Sequence, residues 1–289
     1  MSDVNAVEVR DLVKEFKTSF RRGPLRAVDK VSFTIAPGEV YGLIGPNGSG
    51  KSTTMKALLG LVQPTSGTCS IFGHDSTKVD SRQDVGFLPE NPYFYKHLSG
   101  EETIRFYGKL CGLRGAALKT RTNELLELVD LTNAKDRRLG GYSKGMLQRI
   151  GLAQALVQDP RLVILDEPTA GVDPIGSRQI RDLILNLKSR GITVFLCSHL
   201  LEQVEEVCDH VGIIHKGRLI KSGRLEDLIS IEEQTEIVLS NADPALLDDI
   251  KKLIDSRDGA ELVRTGKPRT TLEHLFLRET RDADSSNDE

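Results

Sequence analysis

The sequence predicts an α/β fold, a parallel β-sheet covered by helices. Two patterns carry this expectation. Short apolar runs rich in β-branched residues recur along the chain and alternate with stretches of helix formers. Most of these runs lack polar alternation, which is how strands buried on both faces read. The 289 residues, 38% hydrophobic and 28% charged, suit one large domain plus a small appendage, with enough apolar chain for a sizeable core.

Taken in order, residues 4–9 and 31–35 alternate apolar and polar side chains and, with 68–72, predict a smaller antiparallel sheet with one solvated face. Residues 40–44 open the parallel core, and 85–88, 162–165, 193–197 and 211–215 continue it. Between about 91 and 158 helix formers dominate, with Leu118, Leu125, Leu126 and Val129 at helical spacing, so a helical insert interrupts the sheet. Ser99 followed by Glu102 forms a capping box. Asp173-Pro174 sets an N-cap before a proline at the first helical position, opening a helix that runs to Gly191. Beyond Gly223 the chain reads as a strand over 235–239, a helix over 244–254, an amphipathic 272–277 and a polar, acidic tail over 282–289. The expected division is a main domain over 1–222 and a C-terminal accessory domain over 223–289.

Composition bounds the function. Lys+Arg at 39 against Asp+Glu at 42 gives a formal net charge of −3, so no global positive field recruits nucleic acid, and no nucleic-acid partner is expected. No run reaches the roughly 18 consecutive apolar residues of a membrane span, because Gly, Pro, Ser or charge interrupts each one. Residues 1–10 carry an acid and lack the basic and apolar regions of a secretory leader, which predicts a cytoplasmic compartment. Cys69, Cys111, Cys197 and Cys208 show no CxxC spacing and read as buried thiols, and His210 and His215 lack metal spacing.

Gly45-Pro46-Asn47-Gly48-Ser49-Gly50-Lys51-Ser52-Thr53 matches GxxxxGK[ST], and it lies after an apolar strand and before a helix beginning near Ser52. The glycines let successive N–H groups turn toward phosphate oxygens and the helix N-terminus adds its positive dipole end. Lys51 reaches the β- and γ-phosphates, and Ser52 ligates Mg²⁺. Residues 162–165 deliver Asp166 and Glu167 at the carboxyl end of a strand, where open α/β sheets bind ligands. Asp166 is placed to hold Mg²⁺ and Glu167 to orient and polarise the attacking water. Tyr142-Ser143-Lys144-Gly145-Met146-Leu147-Gln148-Arg149 is a Ser/Gly turn opening a helix; Ser143 is either a plain N-cap or a hydrogen-bond donor to a second phosphate site. His199 follows the strand at 193–197 and so reaches the same sheet edge as Glu167.

With these motifs in this order, residues of about 4 to 223 resemble the ATP-binding subunit of an ABC transporter. Gly45 to Thr53 resembles Walker A, 162–167 Walker B with its catalytic glutamate, 170–173 the D-loop ending in Asp173, Ser143 to Gly145 part of the signature turn, and His199 the H-loop switch. Phe16, with Phe20 nearby, resembles the aromatic that stacks on adenine. The resemblance implies an α/β P-loop NTPase (RecA-like) core with a small antiparallel β subdomain, an α-helical insert and a small α+β C-terminal appendage. It also implies an ATPase using ATP and Mg²⁺. Two copies of the cassette, or one and a paralogue, would lie head to tail on the inner face of the cell membrane and drive separate integral membrane permease subunits.

Two places depart from the commonest family pattern. Residues 85–90 end in Glu90 where most relatives carry glutamine, and the signature has Lys144 and Met146 where glycine and glutamine are usual. Both variants resemble cassettes that partner ABC-2-type membrane subunits, which points to export. Glu90 either ligates Mg²⁺ or adds repulsion near the γ-phosphate, and Lys144 is either a solvated lysine or a partner-supplied counter-charge. The aromatic cluster at Tyr93, Phe94 and Tyr95 either packs within the insert or receives a coupling helix. Lys17, Arg21, Arg22 and Arg26 form a solvated loop or touch anionic lipid. The rival reading is a soluble ABC-type ATPase acting on ribosomes or DNA, which usually needs two cassettes or long coiled-coil inserts; 289 residues provide neither.

Overall fold

The structure is a computed structural model that describes residues 4–17, 24–229 and 244–256. In chain order, β1 (Val7–Phe16), β2 (Leu25–Ile35) and β3 (Val40–Ile44) lead into α1 (Lys51–Leu58). Then come β4 (Ser66–Ile71), β5 (His74–Asp75) and β6 (Val85–Leu88), followed by the insert helices α2 (Gly100–Leu110), α3 (Gly115–Leu128) and α4 (Lys144–Ala155). The chain returns through β7 (Leu162–Asp166), α5 (Pro174–Ser189), β8 (Thr193–Ser198), α6 (Leu201–Val207), β9 (His210–His215), β10 (Arg218–Arg224) and α7 (Leu225–Ile229).

Six strands form one sheet in the order β10-β9-β3-β8-β7-β6, parallel except for the antiparallel pair β9 and β10. The other four form an antiparallel sheet in the order β2-β1-β4-β5. Because β3, β8 and β7 are neighbours, with Ile44 opposite Ser198 and Cys197 opposite Asp166, the residues that follow them leave along one carboxyl edge. Gly45, His199 and Glu167 are those residues.

The missing polar alternation of the core strands now has a cause. Side chains of the parallel strands alternate between two apolar clusters, one on each face: Val163, Leu165, Val194 and Leu196 enter the first, and Ile164, Tyr41, Leu43 and Phe195 the second. Phe195 is fully buried against Phe33 and Tyr41, with ring centroids 5.7 and 6.1 Å away. Burial of one such ring contributes about 2–3 kcal/mol.

The capping box of α2 forms as the sequence predicts: Ser99 N donates to Glu102 Oε2 at 2.9 Å, and Glu102 N donates to Ser99 Oγ at 3.2 Å. The antiparallel strands differ from their expected bounds. β1 and β2 each extend well past 4–9 and 31–35, since β1 finds partners on both sides and register shifts absorb its irregularities. Asp11 and Lys30 take left-handed φ values of 46° and 53° there, which breaks the simple alternation a sequence reader counts on. β10 was not expected because its residues are largely polar and exposed, as an edge strand permits.

The chain divides into two compact units, Met1–Ile229 and Ser230–Glu289, later than the expected division at 222/223. Pairing explains the shift: β10 continues through Gly223 to Arg224, and Leu225 N donates to Asp209 O. The second unit holds α8 (Pro244–Asp255), at the helix expected over 244–254. The strand expected over 235–239, the amphipathic 272–277 and the tail lie outside the described residues.

Candidate functional site

The loop from β3 to α1 is shaped by close approaches. A Cβ on Gly45 would lie 2.1 Å from the Ile214 carbonyl oxygen and 2.8 Å from Ser49 Oγ, so only glycine fits. Gly50 precedes α1 at φ 111°, without any side-chain cap on the helix. The first N–H groups of α1 therefore face outward with the positive end of the helix dipole. Lys51 is 6% exposed and donates to Gly45 O at 2.6 Å and Pro46 O at 3.3 Å, and its Nζ stands 3.6 Å from Glu167 Oε1. Residues 47–53 line a pocket with Ala27, Glu90 and Glu167. One buried lysine, uncapped amides and two rim carboxylates make a receptor for a phosphate chain carrying a cation.

Glu167 is held from several sides. Its N donates to Cys197 O at 2.8 Å, and its Oε2 accepts from His199 N at 3.2 Å and Ser198 Oγ at 3.3 Å. His199 Nδ1 lies 2.8 Å from the same oxygen; an ionised carboxylate only accepts, so the ring hydrogen is assigned to Nδ1. The Glu167 backbone takes φ 48°, a left-handed value that costs about 1–3 kcal/mol and persists where surrounding bonds enforce it.

Beside it, burial foremost, and then the charges of Glu167 and Glu90, push the Asp166 carboxyl up to about 6. Its Oδ1 is buried without a hydrogen-bond partner among the described residues. An orphaned carboxylate oxygen that feels the charges of Glu167 and Glu90, together with the exposed Ser52 hydroxyl that lines the pocket with those two acids, is the oxygen donor chemistry that fits Mg²⁺.

A second group of expected site residues gathers on α4 and α5. Ser143 caps α4, its Oγ accepting from Met146 N at 3.2 Å, which realises the N-cap alternative and leaves the O–H hydrogen available. Lys144 is exposed, and its Nζ lies 2.7 Å from where a Cβ of Gly171 would be. Gly145 is buried and abuts Val172 and Gly176. Asp173 caps α5, its Oδ1 accepting from Gly176 N at 2.6 Å. None of these four lines the phosphate-loop pocket.

Phe16 does not line it either. It ends β1 opposite Leu25, is 38% exposed, and has Lys14 Nζ 5.0 Å from its ring centre. The aromatic cluster divides: Phe94 is buried in the core edge-on to Tyr107, whereas Tyr93 and Tyr95 are 96% and 59% exposed. Arg26 pairs with Glu15 and Asp29, while Arg21 and Arg22 lie outside the described residues. All four cysteines are free, with Cys111 half-buried and the others buried.

A family model described as ABC transporter matches residues 28–170. The chain is 35% identical to an uncharacterised ABC transporter ATP-binding protein of Synechocystis sp., over 96% of its own length and 85% of that relative. The chain belongs to the ABC transporter ATP-binding proteins. It is also 36% identical to the Nod factor export ATP-binding protein I of Burkholderia lata, covering 85% of this chain and 80% of that one. Among solved structures, cbiO1 of Clostridium perfringens, part of an ABC transporter complex, superposes with a TM-score of 0.70 at 26% identity, covering 78% of this chain and 90% of the other.

This ABC transporter ATP-binding subunit is accordingly an α/β P-loop ATPase that binds nucleotide. None of its described helices is long and apolar enough to cross a membrane. Sequence reading of the subunit missed Ala27, whose place in the pocket arises because β2 passes over Gly50. It also missed Gln148, whose Nε2 donates to the Glu90 carbonyl at 2.7 Å. The sequence signal for the latter was weak, because Gln148 is followed by a second buried polar residue of α4, Arg149.

Proposed function

We propose that the subunit acts as one of two head-to-tail cassettes, each ATP clamped between the phosphate loop of one copy and the Ser143 turn of the other. The division of the site supports this most: residues 47–53, Glu90 and Glu167 share a pocket that Ser143, Lys144, Gly145 and Asp173 do not reach. A two-fold pair gives each pocket its neighbour's missing face, because residue i meets j and j meets i.

Within the closed site, Lys51 exchanges the Gly45 and Pro46 carbonyls for phosphate oxygens, and the α1 amides take the β-phosphate. Glu167, aligned by His199 and Ser198, polarises the attacking water, and His199 also senses the γ-phosphate. Ser52, Asp166 and Glu90 hold Mg²⁺, which when bound neutralises charge on the phosphates. Phe16 stacks on adenine beyond Ala27. Lys144 of the neighbour offsets Glu90 or the γ-phosphate charge; unchanged dimerisation and turnover in Lys144→Gly would remove that element.

Closure and reopening of the pair move separate integral permease subunits from the inner face of the cell membrane. Export is the direction supported by the Burkholderia relative's name and by the Glu90 and Lys144 variants. Complementation tests the pairing. Lys51→Ala and Ser143→Arg chains are each expected to be inactive. Mixed one to one they should recover about a quarter of wild-type turnover, since half the pairs are mixed and each mixed pair has one intact site. No recovery, with mixed pairs shown to form, would refute it.

A further inference from the structure

The pocket and the Ser143 face are joined within one chain by a contact between the helix that Ser143 opens and the backbone at Glu90. Gln148 on α4 is 1% exposed, and its Nε2 donates to the Glu90 carbonyl oxygen at 2.7 Å. Its Oε1 is buried without a hydrogen-bond partner among the described residues. Turning the amide over would set Oε1 against the Glu90 carbonyl, two acceptors face to face, so the orientation is fixed by Glu90.

This bond is the last of three rungs. A Cβ on Gly86 would lie 2.3 Å from Ala155 O, and a Cβ on Gly151 would lie 2.6 Å from Leu88 Cδ1 and 3.5 Å from Pro92 Cβ. Ala155, Gly151 and Gln148 along α4 thus meet Gly86, Leu88 and Glu90 along β6 and its continuation, helix and strand running in opposite directions. Close packing at both glycines, with the Gln148 bond beyond them, leaves no gap that would let the Glu90 backbone and α4 move independently. Glu90 lines the phosphate pocket, and α4 begins at the Ser143 cap.

We propose that Gln148 is a positioning residue that ties the Glu90 wall of a chain's own phosphate pocket to its Ser143 turn, so that nucleotide at one site of the pair biases the other. This rests on the paired-cassette reading, in which the Ser143 turn meets the neighbour's ATP. Coupling of this kind is reciprocal between the two sites. Gln148→Met keeps the side chain's length and removes the donor, and Gln148→Lys supplies a donor again.

The test uses the full chain carrying Glu167→Gln, with ATP affinity measured in dilute monomer and ATP-dependent dimerisation measured by sedimentation. Adding Gln148→Met is expected to change monomer ATP affinity by less than about twofold and weaken dimerisation about tenfold, the factor that one lost hydrogen bond corresponds to. In the chain with Glu167 intact, the Hill coefficient for ATP should fall toward one, and Gln148→Lys should recover both quantities. Wild-type dimerisation and cooperativity in Gln148→Met would overturn the positioning role and leave the pairing intact. Equal losses of monomer affinity and dimerisation, unrescued by lysine, would reduce Gln148 to packing and also overturn it. If the Glu167→Gln parent itself forms no ATP-dependent dimer, the paired-cassette reading fails and this proposal with it.

Discussion

The N-terminus of α1 and those of α4 and α5 begin with the same chemistry, unpaired amides at a positive dipole end, and the chain treats them in opposite ways. Before α1 stands a left-handed Gly50 with no side-chain cap. Before α4 and α5 stand Ser143 and Asp173, extended, each accepting from the amide three residues on. The first end keeps its donors for a ligand, the left-handed Glu167 beside it holds backbone strain enforced by its neighbours, and Gly45 sits where the Ile214 carbonyl leaves no room for a side chain. Each of the other two ends has one amide taken by its cap, and they contribute also through what projects from them, the Ser143 hydroxyl and the Lys144 ammonium. A preorganised receptor and a finished surface are complementary halves.

The contrast breaks most severely where the receptor performs chemistry. Glu167→Gln keeps the side chain's shape and removes its charge, so turnover should fall about 10²–10⁴-fold while nucleotide still binds. Phosphate release measured beside equilibrium binding checks this. Loss of both together would make Glu167 a prop for the loop.

Stability sharpens the same comparison. Gly45→Ala drives a Cβ into the Ile214 carbonyl and should cost about 3 kcal/mol or more. Gly48→Ala meets open space at φ 78° and should cost only about 1–2 kcal/mol, both read by urea unfolding. On the finished surface, Ser143→Ala and Asp173→Ala each remove one cap, worth about 1 kcal/mol, and Asp173→Asn should be close to neutral because asparagine caps equally well.

The smallest effect concerns the brace outside the loop. Asp29 N donates to Gly217 O, and Gly217 N donates to Ser49 O. The Asp29 carboxyl is held below its ordinary 3.8, first by the hydrogen bond from Arg218 and then by that from Arg26. A depressed folded value stabilises above the unfolded one and is lost as pH falls through the lower folded one. Asp29→Asn should therefore lower stability slightly at neutral pH and flatten the acid limb of the unfolding curve below about pH 4.

Much of this was legible because the relevant signals are local. GxxxxGK[ST] after an apolar strand, an acid pair ending another strand, and an N-cap followed by proline all act within a few residues of themselves. Phe94 was not singled out: it sits between two tyrosines that differ from it only by a hydroxyl, yet it alone of the three is buried, because it packs against α4 and Tyr107. Gln148 stands within the 142–149 stretch with nothing local to mark its role, since only the lie of α4 against β6 brings its amide to Glu90. β10 escaped because an edge strand with an exposed face has no apolar pattern to show.

By itself the sequence determined the elements whose causes are short-range: strands by apolar runs, helix starts by caps, and the phosphate loop by glycines and a lysine at fixed spacing. Tertiary structure alone decided which of those pieces share a pocket. Strand order set β3, β8 and β7 side by side and so brought Glu167 within an ion pair of Lys51 and a hydrogen bond of His199. It left Ser143 and Asp173 on another face, because contacts between residues far apart in the chain depend on how layers pack and not on what any one segment prefers.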